Sequence, residues 1–159
     1  MEQKKFDLKS VKVHRTTEAT VFELAFAIVA AIVWGVIIWM VLRAPDVVPT
    51  HLDVAGNPNA YGSPLGILIP CIILTLAALG CMVVAYFPRF INMPFPVNSI
   101  RRVETAIRSA RVAGLTLMLL PLALAYTLLV SQSPLFVLLC VAVLIVEIVV
   151  FTMLGYRAK

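Results

Sequence analysis

The sequence predicts an all-α integral membrane protein, a four-helix bundle with one ordered extracytoplasmic loop. Three observations carry this reading. Of 159 residues, 62% are hydrophobic and only 13% charged, whereas a soluble domain carries about a quarter charged residues. Mean hydropathy is +1.01. The apolar residues fall in blocks of about 20, the length a helix needs to cross a hydrocarbon core, and the basic residues gather at alternate ends of those blocks.

Residues 1–22 read as a cytoplasmic basic tail, with Lys4, Lys5, Lys9, Lys12 and Arg15 against Glu2, Asp7 and Glu18. The charged stretch is too long for a signal peptide and no small-residue cleavage pattern closes the apolar run, so the first span is expected to be retained. Phe6, Leu8, Val11 and Val13 are expected in a frayed tail. The first span covers 23–42. Glu23 sits at its entrance, where a carboxylate meets the positive end of the helix dipole, and Trp39 is spaced as an interfacial anchor. Ala27, Ala31 and Gly35 share one face, which would let another helix approach closely.

Residues 43–64 form the polar loop. Pro45 and Pro49 fix φ and lack donors, so the helix cannot continue. Thr50-His51-Leu52-Asp53 alternates polar and apolar and suits a short extended piece. Gly56, Asn57, Pro58 and Asn59 are turn formers. Val47, Val48, Leu52, Val54 and Tyr61 are expected to pack on the tops of the helices, which would make the loop ordered.

The second span is 65–87, opened by Pro64. Tyr86, Phe87, Phe90 and Phe95 suit an interfacial aromatic belt. Residues 88–111 read as a cytoplasmic basic loop followed by a short amphipathic helix with Val103, Ala106, Ile107 and Ala110 on one face. Ser99 or Asn98 can cap that helix, and Glu104 and Arg108 are spaced to pair along it. The third span, 112–130, carries Pro121 and should kink there. Ser133 caps the fourth span, 135–155, and 156–159 is a cytoplasmic tail.

Lys and Arg count five in the first tail, five between Pro88 and Arg111, and two in the last tail, against Arg43 alone on the other side. By the positive-inside rule both termini are cytoplasmic and the loop faces out. The net charge of +5 is thereby used for orientation. No basic stretch is interleaved with aromatics, so no nucleic acid partner is expected. The lipid bilayer is the expected partner. Oligomeric state is not read from the sequence.

Four features could carry chemistry. His51 and Asp53 are two apart and would point the same way from an extended segment. Two ligands do not make a zinc site, so no metal is assigned and a hydrogen-bonded role inside the loop is preferred for His51. Glu147 lies mid-span, where an ionised side chain costs roughly 2.5 kcal/mol or more. It is either a proton or ligand relay or a carboxyl bonded to Thr75, Thr116, Tyr126 or Thr127, the second being preferred. Arg101, Arg102, Arg108 and Arg111 could meet anionic lipid head groups or merely orient the chain. Cys71, Cys81 and Cys140 lie inside apolar runs with no paired spacing and read as small packing residues. No catalytic motif is present, so neither catalytic residues nor a cofactor is expected.

At the loop the chain resembles a catalogued family. PDVVPTHLDVAGNPNAYGS, at Pro45–Ser63, is similar to the signature of the bacterial membrane family called domain of unknown function 1648. The matching positions are Pro45, Val48, Pro49, His51, Asp53, Gly56, Pro58, Asn59, Tyr61, Gly62 and Ser63. The resemblance covers roughly residues 25–90. The same module forms the front half of SdpI-like immunity proteins, which protect bacteria from a secreted peptide toxin and signal its presence. Beyond residue 90 the arginine-asparagine and tryptophan-bearing motif of their second half is not seen.

The resemblance implies a bacterial inner-membrane protein in which the loop matters. The expected site is Pro49, His51, Asp53, Gly56, Asn57, Pro58, Asn59 and Tyr61. It would serve a non-enzymatic sensor, immunity or binding protein, with an extracytoplasmic peptide or a membrane protein as partner. The alternative is a small transporter or proton-coupled protein using Glu147.

Overall fold

The computed structural model describes residue 8, residues 11–53 and residues 55–158. Glu2, Lys4, Lys5, Phe6, Asp7, Lys9 and Val54, invoked above, and Lys159 of the last tail lie outside the described residues. Among the described residues four helices are long and apolar enough to cross a membrane: Thr17–Arg43, Pro64–Val84, Ile100–Ser131 and Leu135–Arg157. A two-stranded hairpin joins the first two.

Helix α1 (Thr17–Arg43) begins where the Thr16 hydroxyl accepts from the Ala19 N–H at 3.1 Å. Glu18 in its first turn and Arg43 in its last complement the helix dipole. At 27 residues it is about 40 Å long, roughly 10 Å more than the hydrocarbon core. After the hairpin, Pro64–Ile67 makes a 3₁₀ turn that feeds α2 (Leu68–Val84).

Ser99 caps the third membrane helix, accepting from the Arg102 N–H at 3.4 Å. The amphipathic stretch and the third span run together as one membrane helix. Its α ladder runs as α3 (Ile100–Leu117), breaks at Met118–Leu119 and resumes as α4 (Leu120–Tyr126) before a π turn at Thr127–Ser131. The break falls one turn before Pro121, where the missing N–H and the ring deny the ladder its bond to Leu117. Gln132, at φ 49°, closes the helix with an N–H bond to the Thr127 carbonyl at 2.8 Å. The fourth span, α5 (Leu135–Arg157), has no side-chain cap; Pro134 is its N-cap residue.

The third span is the hub. α3 packs on α2 and α5, and α4 packs on α1, α2 and α5. Of the most apolar window in each span, 44% is buried in the third, 22% in the first and second, and none in the fourth. The core joins Val33, Ile37 and Met40 of α1, Cys71 and Ala78 of α2, and Met118, Ala125 and Leu128 of the third span. Trp34 ties α1 to α2 by donating its indole N–H to the Thr75 hydroxyl at 3.2 Å. Gly114 lets α2 and α3 close up, since a Cβ there would lie 3.1 Å from the Ala78 carbonyl. The outer face of α5 is almost wholly apolar and exposed, as suits a surface solvated by lipid tails.

Several expectations change here. Ala27, Ala31 and Gly35 face outward, and a Cβ on Gly35 would meet nothing within 4 Å. α1 packs instead through Val33, Ile37, Met40 and Val41, because larger side chains fill the gap to the hub. Leu8, Val11 and Val13 are not frayed; they pack on Val103, Ile107 and Ala110 of α3. Phe95 is buried rather than interfacial, its ring against Gly155. Val47 and Tyr61 are 64% and 63% exposed, so the hairpin packs by fewer residues than its apolar content suggests.

Candidate functional site

The loop after α1 is a β-hairpin, β1 (Val48–Leu52) antiparallel to β2 (Pro58–Gly62). The extended piece was readable from its alternation. The second strand was not, because Pro58 and Asn59 read as turn formers; Pro58 is tolerated as the first residue of an edge strand. Val48 pairs with Gly62 and Pro49 with Tyr61, and the register shifts on either side of His51.

One side of this hairpin is fixed to the bundle. Val48 and Pro49 are buried, and Val48 belongs to the main core. β1 contacts the π turn that ends the third span. At the tip, Gly56 takes φ 88°, and a Cβ on it would lie 3.3 Å from Pro134 Cδ and 3.5 Å from the Gln132 carbonyl. Glycine serves both needs there, a left-handed backbone and a close approach.

Asp53 builds the tip. Its carboxylate accepts from the N–H groups of Ala55 at 2.9 Å and Asn57 at 2.8 Å, and from the Asn57 amide at 3.3 Å. The Asn57 backbone N–H first, then its side-chain amide and the Ala55 and Gly56 N–H groups, hold this carboxyl below the usual aspartate range. Two backbone bonds, Asp53 N–H to the Asn57 carbonyl at 2.9 Å and Gly56 N–H to the Asp53 carbonyl at 3.0 Å, close the turn.

The other side faces solvent. His51 Nδ1 donates to the Asn59 amide oxygen at 2.6 Å across the two strands, and both side chains are exposed, as are Asn57 and Tyr61. The imidazole Nε2 and the Asn59 amide N–H groups are left to meet a ligand. The eight loop residues therefore divide. Pro49, Asp53, Gly56 and Pro58 shape and seat the hairpin; His51, Asn57, Asn59 and Tyr61 form its outward face.

This geometry locates a known module. The family model described as a domain of unknown function (DUF1648) matches residues 28–75. That segment is similar to the DUF1648 domain. It runs from mid-α1, through the hairpin, to Thr75 of α2, so it contains the Trp34–Thr75 bond as well as the loop. An uncharacterized protein of Archaeoglobus fulgidus is 30% identical over 90 residues, 52% of this chain and 49% of its own length. The chain thus spans about half the length of the curated relative it matches. No solved structure matches the chain.

The remaining polar residues lie outside the DUF1648 segment. Glu147 points from α5 to α3, where the Thr116 hydroxyl donates to its Oε1; its Oε2 is buried with no hydrogen-bond partner. Among the described residues no three His, Cys, Asp or Glu side chains are grouped to hold a metal. Cys71, inside the matched segment, donates from Sγ to the Pro121 carbonyl at 3.5 Å.

The arginines behave individually. Arg102 donates to the carbonyls of Ala158 and Pro96 and to the Asn98 side chain. Arg108 grips both oxygens of Glu18, at 2.8 and 3.0 Å, rather than Glu104; the cross-helix carboxylate offers a two-pronged fit that an i+4 neighbour does not. Arg111 is 4% exposed. Of these four, only Arg101 is exposed and without a side-chain hydrogen-bond partner among the described residues.

Sequence reading missed the polar cluster at this end of the bundle. Glu23 accepts from Arg15 at 2.6 Å and from the Tyr86 hydroxyl, and Arg111 lies over the Tyr86 ring with its Cζ 5.7 Å from the centroid. The carboxylate at the entrance of α1 was the visible signal. Its partners are distant in sequence and carry no shared pattern.

Proposed function

We propose that this is a non-enzymatic multi-pass membrane protein of the sensor, immunity or binding class, with the hairpin as its recognition surface. The carrying observation is the division of the hairpin: Val48, Pro49 and Gly56 seat it on the bundle while His51, Asn57, Asn59 and Tyr61 face solvent. A rigid edge with an aromatic ring, an imidazole and two amides suits a peptide or a protein segment, whose backbone groups those side chains can meet. The charge distribution supports a cytoplasmic membrane with the hairpin outward and both termini inside.

The test is complementation of a strain lacking the gene. The double variant His51→Ala, Asn59→Ala should reach the membrane at normal levels and yet behave as the deletion does. Full complementation by that variant would remove the hairpin from the function.

A second reading, a small transporter or proton-coupled protein, is favoured by one observation, the partnerless buried Oε2 of Glu147. Thr116 supplies only one of the bonds a mid-membrane carboxyl needs.

A further inference from the structure

Beside the starts of α1 and α3 lies an open cavity of about 420 Å³ with largely apolar walls, lined by the basic Lys12, Arg108 and Arg111 and the acidic Glu18 and Glu104. Val13, Val103 and Ile107 line it, with Lys12, His14 and Arg111 among its polar groups. Thr16, the N-cap of α1, and Ile100, the first residue of α3, also face it. Two helices of 27 and 18 residues therefore point the positive ends of their dipoles at this space.

Arg111 is the decisive group. It is 96% buried, faces the cavity and has neither a hydrogen-bond nor an ion-pair partner among the described residues. Its nearest counter-charges are already engaged. Both oxygens of Glu18 take Arg108, and those of Glu23 take Tyr86 and Arg15. The Tyr86 ring holds the guanidinium in place by a cation–π contact without satisfying its N–H groups. A largely buried guanidinium gains from an anion beside it, and Arg111 lines the cavity from which one could reach it. The remaining charges that face the space are Glu104, exposed at the rim, and the Glu18–Arg108 pair.

We propose that this cavity binds the phosphate group of an anionic phospholipid, with Arg111 as its base and Lys12 at its rim. The phosphate accepts from Arg111, and the adjoining glycerol and acyl carbons run over Val13, Val103 and Ile107. Those apolar walls favour a lipid over a free phosphate ester, which would leave them wet. The Tyr86 ring holds the Arg111 guanidinium in position before the ligand arrives, so less ordering is needed on binding.

Native mass spectrometry of the detergent-purified full chain tests this with phosphatidylglycerol, phosphatidylcholine and glycerol 3-phosphate as probes. Phosphatidylglycerol should be retained in preference to phosphatidylcholine. Its retention should weaken about tenfold in Arg111→Gln, the fold-change expected for one lost charge-assisted hydrogen bond, and by a smaller factor in Lys12→Gln. Should Arg111→Gln fail to fold, the exposed Lys12 decides, since its loss leaves the packing untouched. Equal retention by the wild type and Lys12→Gln, or no preference over phosphatidylcholine, overturns the proposal. Displacement by glycerol 3-phosphate at concentrations equal to the lipid overturns the lipid as the source.

Discussion

Gly56 at the hairpin tip rests on Pro134 at the start of α5, close enough that a Cβ would sit 3.3 Å from the proline ring. The contact joins the DUF1648 segment to the second helix pair, and it fixes a polar loop that sequence alone could only suspect of being ordered. Gly56→Ala meets two penalties there, a left-handed backbone that costs roughly 1–2 kcal/mol for a residue with a Cβ and the crowding on Pro134. Thermal melting of the detergent-solubilised chain should fall accordingly. An unchanged melting temperature would show that the tip does not hold this conformation.

Asp53 makes the tip sensitive to acid. Its carboxyl is held below the ordinary aspartate range by the Asn57 N–H and its neighbours, so the folded tip binds its proton less readily than the unfolded chain. The sign follows: this contribution is fully present above the unfolded value, about 3.9, and is lost as pH falls through the lower folded value. Backbone amide shifts of Ala55 and Asn57 should be flat from neutral pH down to about pH 5 and move only at lower pH, toward the depressed folded value. Asp53→Asn should abolish that titration; a titration that persists in the variant would belong to another group.

Glu147 separates the two functional readings. Glu147→Gln keeps an acceptor for Thr116 and removes the ionisable carboxyl. If the hairpin carries the function, the variant should match the wild type in melting temperature and in complementation. Loss of complementation with normal melting would favour the proton-coupled reading instead.

The spans were legible because lipid demands long apolar runs, and that demand is written locally in the chain. The break before Pro121 was legible for the same reason, since a proline acts on its own turn. The packing was not. Ala27, Ala31 and Gly35 form a plausible contact face by spacing, yet they look outward while Val33 and Ile37 fill the core. Which face turns inward depends on the partner helix, and α1 alone does not specify it. In the loop, Thr50–Asp53 announced a strand through alternation, whereas Pro58 and Asn59, which open the second strand, read as turn formers; pairing with β1, not composition, makes them extended. Arg108 shows the same limit: its i+4 neighbour Glu104 is visible in the sequence, while Glu18, which it grips, is visible only in the fold.

The proposed function needs the hairpin to face out of the cell and to be seated on one side only. Single cysteines, placed in a chain with Cys71, Cys81 and Cys140 replaced by serine, test this through a membrane-impermeant maleimide on intact cells. Asn59→Cys should label promptly, Val48→Cys should resist until the protein is denatured, and Arg101→Cys should label only once the membrane is opened. Equal labelling at 48 and 59, or labelling of 59 only after permeabilisation, would contradict it.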